Sequence, residues 1–163
     1  NMGLELAIRA MGLAFERTAV GDRYVLECLR EKGWSLGGES SGHIICLDRT
    51  TTGDGIVSAL QVMAYLAETQ QTLIEALDGM SKMPQHLVNV PLPVKTNPID
   101  EPRVQQAVQD VESRLNGRGR VLLRPSGTEP LIRVMVEGED DREVGGYARQ
   151  IADAVTESVA HAG

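Results

Sequence analysis

The sequence is poor in aromatic side chains and in positive charge. Five of its 163 residues are aromatic (one Trp, three Tyr and one Phe), and its net charge at pH 7 is -7. Nucleic-acid-binding surfaces need basic patches and aromatic stacking platforms, so nucleic acid is excluded as an expected partner. No apolar run reaches the roughly 18 residues that a membrane-spanning helix needs, so no membrane association is expected either.

Cysteine and histidine are also scarce. Cys28 and Cys46 form no CxxC pair and are predicted to be reduced core thiols, with a disulfide as the less favoured alternative. The three histidines form no metal-ligand cluster. They are His43, His86 and His161. Reduced thiols and the lack of a signal peptide favour a cytoplasmic protein, and the opening Asn1-Met2-Gly3 suggests a cut through a longer chain.

Hydrophobic residues make up 42% of the sequence, which is enough for a packed core. A polar, proline-containing segment at Met83-Pro84-Gln85 is predicted to be a linker between two domains, residues 1–83 and 86–163. The first domain is predicted to be mixed α/β. Its predicted helices are 4–12, 23–32, a long helix with the stripe Ile56, Leu60, Met63 and Ala67, and 72–77, and its predicted strands are 14–20, 34–37 and 44–47.

The second domain has elements in the order β-α-β-β-α, which predicts a mixed or antiparallel sheet with helices on one face. The strands are predicted at 86–94, 120–123 and 131–136, and the helices begin at Asp100-Glu101-Pro102 and Asp140-Asp141. Each helix has a complete apolar stripe. The stripes are Val104, Val108, Val111 and Leu115 in the first, and Val144, Ala148, Ile151 and Val155 in the second.

One loop of the second domain is rich in hydrogen-bond donors. It reads Arg124-Pro125-Ser126-Gly127-Thr128-Glu129-Pro130-Leu131-Ile132-Arg133. The prolines stiffen its ends, and Gly127 is predicted to let the backbone turn tightly. Ser126, Thr128 and the nearby amides are neutral donors, whereas Arg124 and Arg133 are forked, permanently charged ones.

The charge around this loop stands out from its surroundings. Four arginines and one acid lie between positions 117 and 134, although residues 86–163 carry 9 basic and 12 acidic residues, a net charge of -3. This basic island predicts phosphate binding. The alternative is a rigid polar turn whose arginines pair with surface acids.

A second polar loop, Gly38-Glu39-Ser40-Ser41-Gly42-His43, lies between two short predicted strands. A carboxylate such as Glu39 can accept hydrogen bonds from adjacent sugar hydroxyls. His43 can exchange a proton near neutral pH. A tight hairpin turn with a solvated Glu39 and a structural His43 explains the loop equally well.

Two further segments are predicted to be helix entries. Val20 to Val25 joins a strand to a helix, and Asp22 is expected to cap that helix. Thr50 to Gly55 precedes the long helix, with anion binding as a lesser possibility.

With these residues in view, the sequence resembles the α-D-phosphohexomutase superfamily nearly end to end. The Arg124–Arg133 loop is similar to its phosphate-binding loop, and residues 38–43 are similar to its sugar-binding GE-x-SGH loop. Residues 20–25 and 50–55 resemble the glucosamine branch, since sister mutases of mannose and glucose phosphates tend to have Gly-His at positions 21–22. Ser40 departs from the glucosamine branch, which often has Gln there.

The resemblance implies a four-domain enzyme that interconverts glucosamine 6-phosphate and glucosamine 1-phosphate through a bisphosphate intermediate, in the supply of amino-sugar nucleotides and peptidoglycan precursors. In that superfamily a phosphoserine of the first domain transfers the phosphoryl group, and an aspartate-rich loop of the second holds Mg²⁺. Neither loop occurs in this sequence. Residues 1–83 would be most of the third domain and residues 86–163 a TBP-like fourth domain, so this chain alone should be inactive.

The resemblance also assigns roles to individual residues. Contacts with the substrate sugar are implied for Asp22, Glu39, Ser41 and Gly42, with His43 as a candidate acid or base. The non-reacting phosphate would be held by Arg124, Ser126, Gly127, Thr128 and Arg133. No metal ligand is expected in this chain. The alternatives are a phosphomannomutase/phosphoglucomutase of the same superfamily and a module that binds a small anion without chemistry.

Overall fold

The computed structural model describes residues 1–93 and 97–161, without the side chain of His161. It divides into two compact units. One unit contains Asn1–Leu6 together with the chain from Ser81 onward, and the other is Ala7–Met80. The first helix, α1 (Met2–Ala10), therefore contributes residues to both.

The unit Ala7–Met80 contains three further helices and one small sheet. Its elements are α2 (Asp22–Lys32), β1 (Leu36–Gly38), β2 (Ile44–Cys46), α3 (Gly55–Thr69) and α4 (Leu73–Ala76). β1 and β2 form an antiparallel hairpin in which Leu36 pairs with Cys46. Gly33 ends α2 in the left-handed conformation, as predicted, and Thr72 with Glu75 forms a capping box at the start of α4.

Three predictions for this unit are wrong. Residues 14–20 form no strand, because they find no ladder partner among the described residues and the sheet has only two strands. Asp22 does not cap α2, because it is already the first helical residue, and the N-cap Gly21 has no side-chain capping bond. Cys28 is only half-buried, whereas Cys46 is buried, and both are free thiols.

The predicted stripe of α3 is helical but exposed. Ile56, Leu60 and Met63 are 76%, 51% and 56% exposed. The buried position of α3 is Ser58, whose hydroxyl donates to the carbonyl of Ile44 in β2 over 3.3 Å. Periodicity therefore located an apolar face correctly, but no described element covers it.

The other unit contains the predicted β-α-β-β-α order. Its elements are β3 (Gln85–Pro91), a 3-10 turn (Pro98–Asp100), α5 (Pro102–Leu115), β4 (Gly119–Pro125), β5 (Leu131–Gly138) and α6 (Asp141–His161). The strands lie in the order β3-β5-β4, and both pairings are antiparallel. The fold is thus a mixed α/β unit with a separate antiparallel α+β unit. The predicted end of β3 at Val94 lies outside the described residues.

Both long helices pack on one face of this sheet. The buried core combines the helix stripes with alternate strand residues. It includes Val104, Val111, Leu115, Val144, Ala148, Ile151, Val155, Val90, Ile132, Val134 and Val136, with Val108 partly buried beside them. The predicted stripes of α5 and α6 are confirmed. Pro102 is the first residue of α5 as predicted, although Glu101 makes no side-chain cap. At the start of α6, the Asp140 carboxylate accepts from the amides of Arg142 and Glu143.

A buried carboxylate lies on the opposite face of the sheet. Glu137 is fully buried, and it accepts from Arg120 Nε and, over 2.9 Å, from Asn1 Nδ2. The Asn1 amide also bonds both backbone groups of Met83, each at 3.0 Å. A buried charge is tolerated only with such partners, so the start of the chain is tied to this sheet through Glu137.

Candidate functional site

The predicted phosphate loop is the turn of the β4–β5 hairpin. The Ser126 amide donates to the Leu131 carbonyl over 2.9 Å and closes the turn. The Ser126 hydroxyl accepts from the Glu129 amide at 3.3 Å and from Arg133 Nη2 at 3.5 Å. The structure therefore brings Ser126, Glu129 and Arg133 together, while Thr128 lies exposed at the tip.

Arg124 and Arg133 are direct partners across the two strands. Like charges in this position repel each other. Arg133 Nη2 lies 3.6 Å from a Glu129 oxygen, and Arg133 Nε is buried without a hydrogen-bond partner. The Arg124 guanidinium makes no hydrogen bond or salt bridge with any residue that the structure describes. The described neighbours therefore do not fully neutralise the positive charge of Arg124 and Arg133.

The geometry of the turn does not require a glycine at position 127. The φ of Gly127 lies outside the left-handed region, and a Cβ added to it would meet nothing within 4 Å. The turn therefore does not require glycine for steric reasons, and the prediction of a glycine-dependent tight turn is wrong. The missing side chain instead leaves the backbone at the tip open to close approach by a ligand.

The predicted sugar loop is the turn of the β1–β2 hairpin. The Glu39 amide donates to the His43 carbonyl over 2.9 Å, and Gly42 lies at φ 96°, in the left-handed region. The half-buried Glu39 carboxylate accepts from the Gly21 amide at 2.9 Å through Oε1. Since Gly21 is the N-cap of α2, the carboxylate lies at the positive end of that helix.

Ser41 and His43 form the second pair in this loop. The Ser41 hydroxyl lies 3.0 Å from His43 Nδ1, and both residues are exposed. When the hydroxyl donates to Nδ1, the ring proton is on Nε2, which is then a donor. The loop thus combines one acceptor, Glu39, with one exchangeable proton, on His43.

Gly21 and Asp22 are the N-cap and the first residue of α2. Asp22 is exposed and follows Gly21, whose amide holds Glu39, so the structure brings the predicted residues of positions 22 and 39 to the same helix end. The role of Gly21 was missed from the sequence. Its φ of 133° is a signal that only a structure shows.

Thr50 to Gly55 is a helix entry, as predicted. Asp54 Oδ1 accepts from the amides of Ile56 and Val57, at 2.8 and 3.0 Å. These bonds occupy the amides that an anion would need.

Within residues 1–93 and 97–161 no group of three His, Cys, Asp or Glu side chains is placed to hold a metal ion. No helix in that part of the chain has both the length and the apolar character to cross a membrane.

Two family models match this chain in succession. The model described as "Phosphoglucomutase/phosphomannomutase, alpha/beta/alpha domain III" matches residues 1–83. The model described as "Phosphoglucomutase/phosphomannomutase, C-terminal domain" matches residues 87–154. The chain belongs to the phosphoglucomutase/phosphomannomutase family.

Two curated relatives match nearly the whole of this chain. The phosphoglucosamine mutase of Thioalkalivibrio sulfidiphilus is 58% identical over 166 residues, which cover 100% of this chain and 37% of the relative. The phosphoglucosamine mutase of Alkalilimnicola ehrlichii is 60% identical over 158 residues, 97% of this chain and 35% of the relative. The chain therefore spans a little over a third of the length of these curated relatives.

Solved structures share the fold. An Aspergillus fumigatus N-acetylphosphoglucosamine mutase aligns with a TM-score of 0.78 and 23% identity, over 95% of this chain and 36% of its own. A structure of that fungal enzyme in complex with GlcNAc-6P and magnesium aligns with a TM-score of 0.56 and 30% identity, over 67% of this chain and 22% of its own.

Proposed function

We propose that this chain is the sugar- and phosphate-recognising part of a phosphoglucosamine mutase, which interconverts glucosamine 6-phosphate and glucosamine 1-phosphate through a bisphosphate. The observation that carries the proposal is the cross-strand pair Arg124 and Arg133, whose charge its described neighbours do not balance. The relatives named phosphoglucosamine mutase, at 58% and 60% identity, support the amino-sugar substrate.

The β4–β5 turn holds the phosphate that is not reacting. Arg124 and Arg133 provide forked charged donors, which suit phosphate geometry and neutralise its charge. Ser126 and Thr128 provide hydroxyls, and Gly127 leaves the backbone amides accessible. A bisphosphate must turn around between the two half-reactions. An open turn with long arginine side chains can accept either phosphate.

The β1–β2 turn recognises the sugar. Gly21 fixes Glu39 Oε1, so the other carboxylate oxygen is free to accept hydrogen bonds from sugar hydroxyls. Ser41 and Gly42 belong to the same loop, Asp22 follows Gly21, and all three contact the sugar. His43, oriented by Ser41, is the candidate acid or base for a substrate hydroxyl.

Phosphoryl transfer itself depends on residues outside this chain. The transfer needs a nucleophile and neutralisation of charge on the moving phosphoryl group. By analogy with the family, we assign these to a phosphoserine and a Mg²⁺ site of the complete protein. Among the described residues no group is placed to hold a metal ion. We assign to this chain the binding and orientation of the substrate, with His43 as a candidate acid or base. We place the reaction in the cytoplasm, where sugar phosphates and reduced thiols occur together.

An assay of the complete protein tests this function. Purified enzyme should turn over glucosamine 6-phosphate faster than the phosphates of glucose or mannose, and Arg124→Gln should lower kcat/KM for all three. A clear preference for glucose or mannose phosphate would reassign the protein to a sister mutase. No turnover of any of the three would favour a module that binds anions without chemistry.

A further inference from the structure

Asn89 lies in the same row of the sheet as the two arginines. The register pairs Asn89 of β3 with Arg133 of β5, and Arg133 with Arg124 of β4. Residues directly opposite each other in antiparallel strands have Cβ atoms about 4.5–5.5 Å apart. The three side chains therefore form one polar row across all three strands.

The row lies on the face opposite the helices. Val88 and Val90 flank Asn89 in sequence, and Ile132 and Val134 flank Arg133; all four belong to or pack against the helix-covered core. Side chains alternate between faces along a strand. Asn89 and Arg133 must therefore be on the other face, where Asn89 is exposed and Arg133 is half-buried.

Arg133 has a hydrogen-bond donor without a partner, and the side-chain oxygen of Asn89 is an acceptor of the kind it needs. Arg133 Nε is buried without a hydrogen-bond partner. The acid next to Arg133 is Glu129, at 3.6 Å and with its side chain 59% exposed, which screens the contact. A carboxamide carries both an acceptor and two donors, and it has no charge to compete with an anion.

We propose that Asn89 is a third member of the phosphate site, a proposal that rests on the function proposed above. Its Oδ1 accepts from Arg133 Nε and fixes that guanidinium, and its Nδ2 donates to a phosphate oxygen. Asn89 thereby extends the site from the hairpin turn onto the sheet surface. A neutral residue is required here, because a carboxylate would occupy the arginines in place of the ligand.

The proposal predicts opposite effects of one substitution on binding and stability. Asn89→Asp should weaken binding of inorganic phosphate about tenfold, because it adds like charge and removes a donor. The same substitution should raise the thermal midpoint measured without phosphate, because it relieves the Arg124–Arg133 repulsion. A merely structural role for Asn89 would move both quantities in the same direction.

The experiment is a phosphate titration and a thermal melt of this chain. Asn89→Ala is the second variant, with an expected affinity loss of about threefold and no gain in stability. Gln85→Ala, on the same strand and face, controls for side-chain loss. Gln109→Glu, an exposed position on α5, makes the same charge change on the helix side of the sheet. Both controls should bind like the parent.

The outcomes separate the two proposals. Normal phosphate affinity in both Asn89 variants, with loss in Arg124→Gln, overturns the role of Asn89 and leaves the proposed function intact. Equal losses in Asn89→Asp and Gln109→Glu also overturn it, because the effect is then one of net charge. Normal affinity in Arg124→Gln overturns the phosphate site itself, and Asn89 with it.

Discussion

The Gly21 amide donates a 2.9 Å hydrogen bond to Glu39 Oε1, which joins two loops that lie 18 positions apart in the sequence. The bond holds a carboxylate against the start of α2, and Gly21 adopts a φ of 133° that other residues reach only with strain. One oxygen of Glu39 is therefore structural and the other is available to a ligand.

Glu39→Gln should impair sugar recognition in the complete enzyme without unfolding the loop. The glutamine carbonyl can still accept from Gly21, but the charged acceptor for the sugar is lost. That loss costs on the order of 2 kcal/mol, a roughly thirty-fold fall in kcat/KM. Inhibition by inorganic phosphate should stay at the parent value. Glu31→Gln, at an exposed position of α2, is the control. Parent-like kinetics in Glu39→Gln would mean that Glu39 is purely structural.

The chain on its own should not catalyse the mutase reaction. It provides positioning groups, but it contains neither the phosphoserine loop nor the aspartate-rich loop implied by the family resemblance. The measurement is turnover of glucosamine 6-phosphate by the purified chain against a buffer control. Turnover above that control would refute the assignment of the chemistry to the rest of the protein.

Glu137→Ala should destabilise the unit that contains β3, β4 and β5. The substitution leaves Arg120 and Asn1 without their shared acceptor, and breaking such a buried pair costs about 3 kcal/mol. Urea unfolding measures the change. Glu139→Ala is the matched control, because it removes an exposed ion pair with Arg118 and should cost about 0–1 kcal/mol. Equal effects of the two substitutions would contradict the role of Glu137.

Residues 86–163 should fold as a module when expressed alone. Both helix stripes lie in this range, as do the three strands apart from Gln85 at the start of β3, and the helices and strands share one core. The module lacks Asn1 and Met83, so Glu137 keeps only Arg120 and the stability should fall below that of the unit in the whole chain. A cooperative thermal transition with dispersed NMR signals is expected. An aggregating or unfolded product would show that the module needs the rest of the chain.

The sequence predicted α5 and α6 well because their stripes are covered within the same unit. Val104 and Val155 are completely buried, at the positions that the helical period indicates. The same reasoning found the stripe of α3 but not its exposure, because periodicity does not show whether a covering element exists. The strand at 14–20 failed for a related reason, since β propensity cannot supply a hydrogen-bonding partner.

The candidate phosphate site was predictable in its residue types and not in its strand register. The loop from Arg124 to Arg133 shows two charged donors around a turn, but only the pairing of β4 with β5 shows that they face each other. The proposed third member, Asn89, has no signal in the sequence, because its cross-strand partner Arg133 is 44 positions away and the strand order places β5 between β3 and β4. Long-range register of this kind leaves no local pattern.

The phosphate site can be tested most directly by titrating the ¹⁵N-labelled chain with inorganic phosphate and following backbone amides and arginine Nε signals by NMR. The largest shifts should fall on the amides of Ser126, Gly127 and Thr128 and on Nε of Arg133, and Arg124→Gln should abolish them. Added salt should weaken them, since the contacts are charge-assisted. Largest shifts elsewhere, or shifts that persist in Arg124→Gln, would contradict the assignment of this turn as the phosphate site.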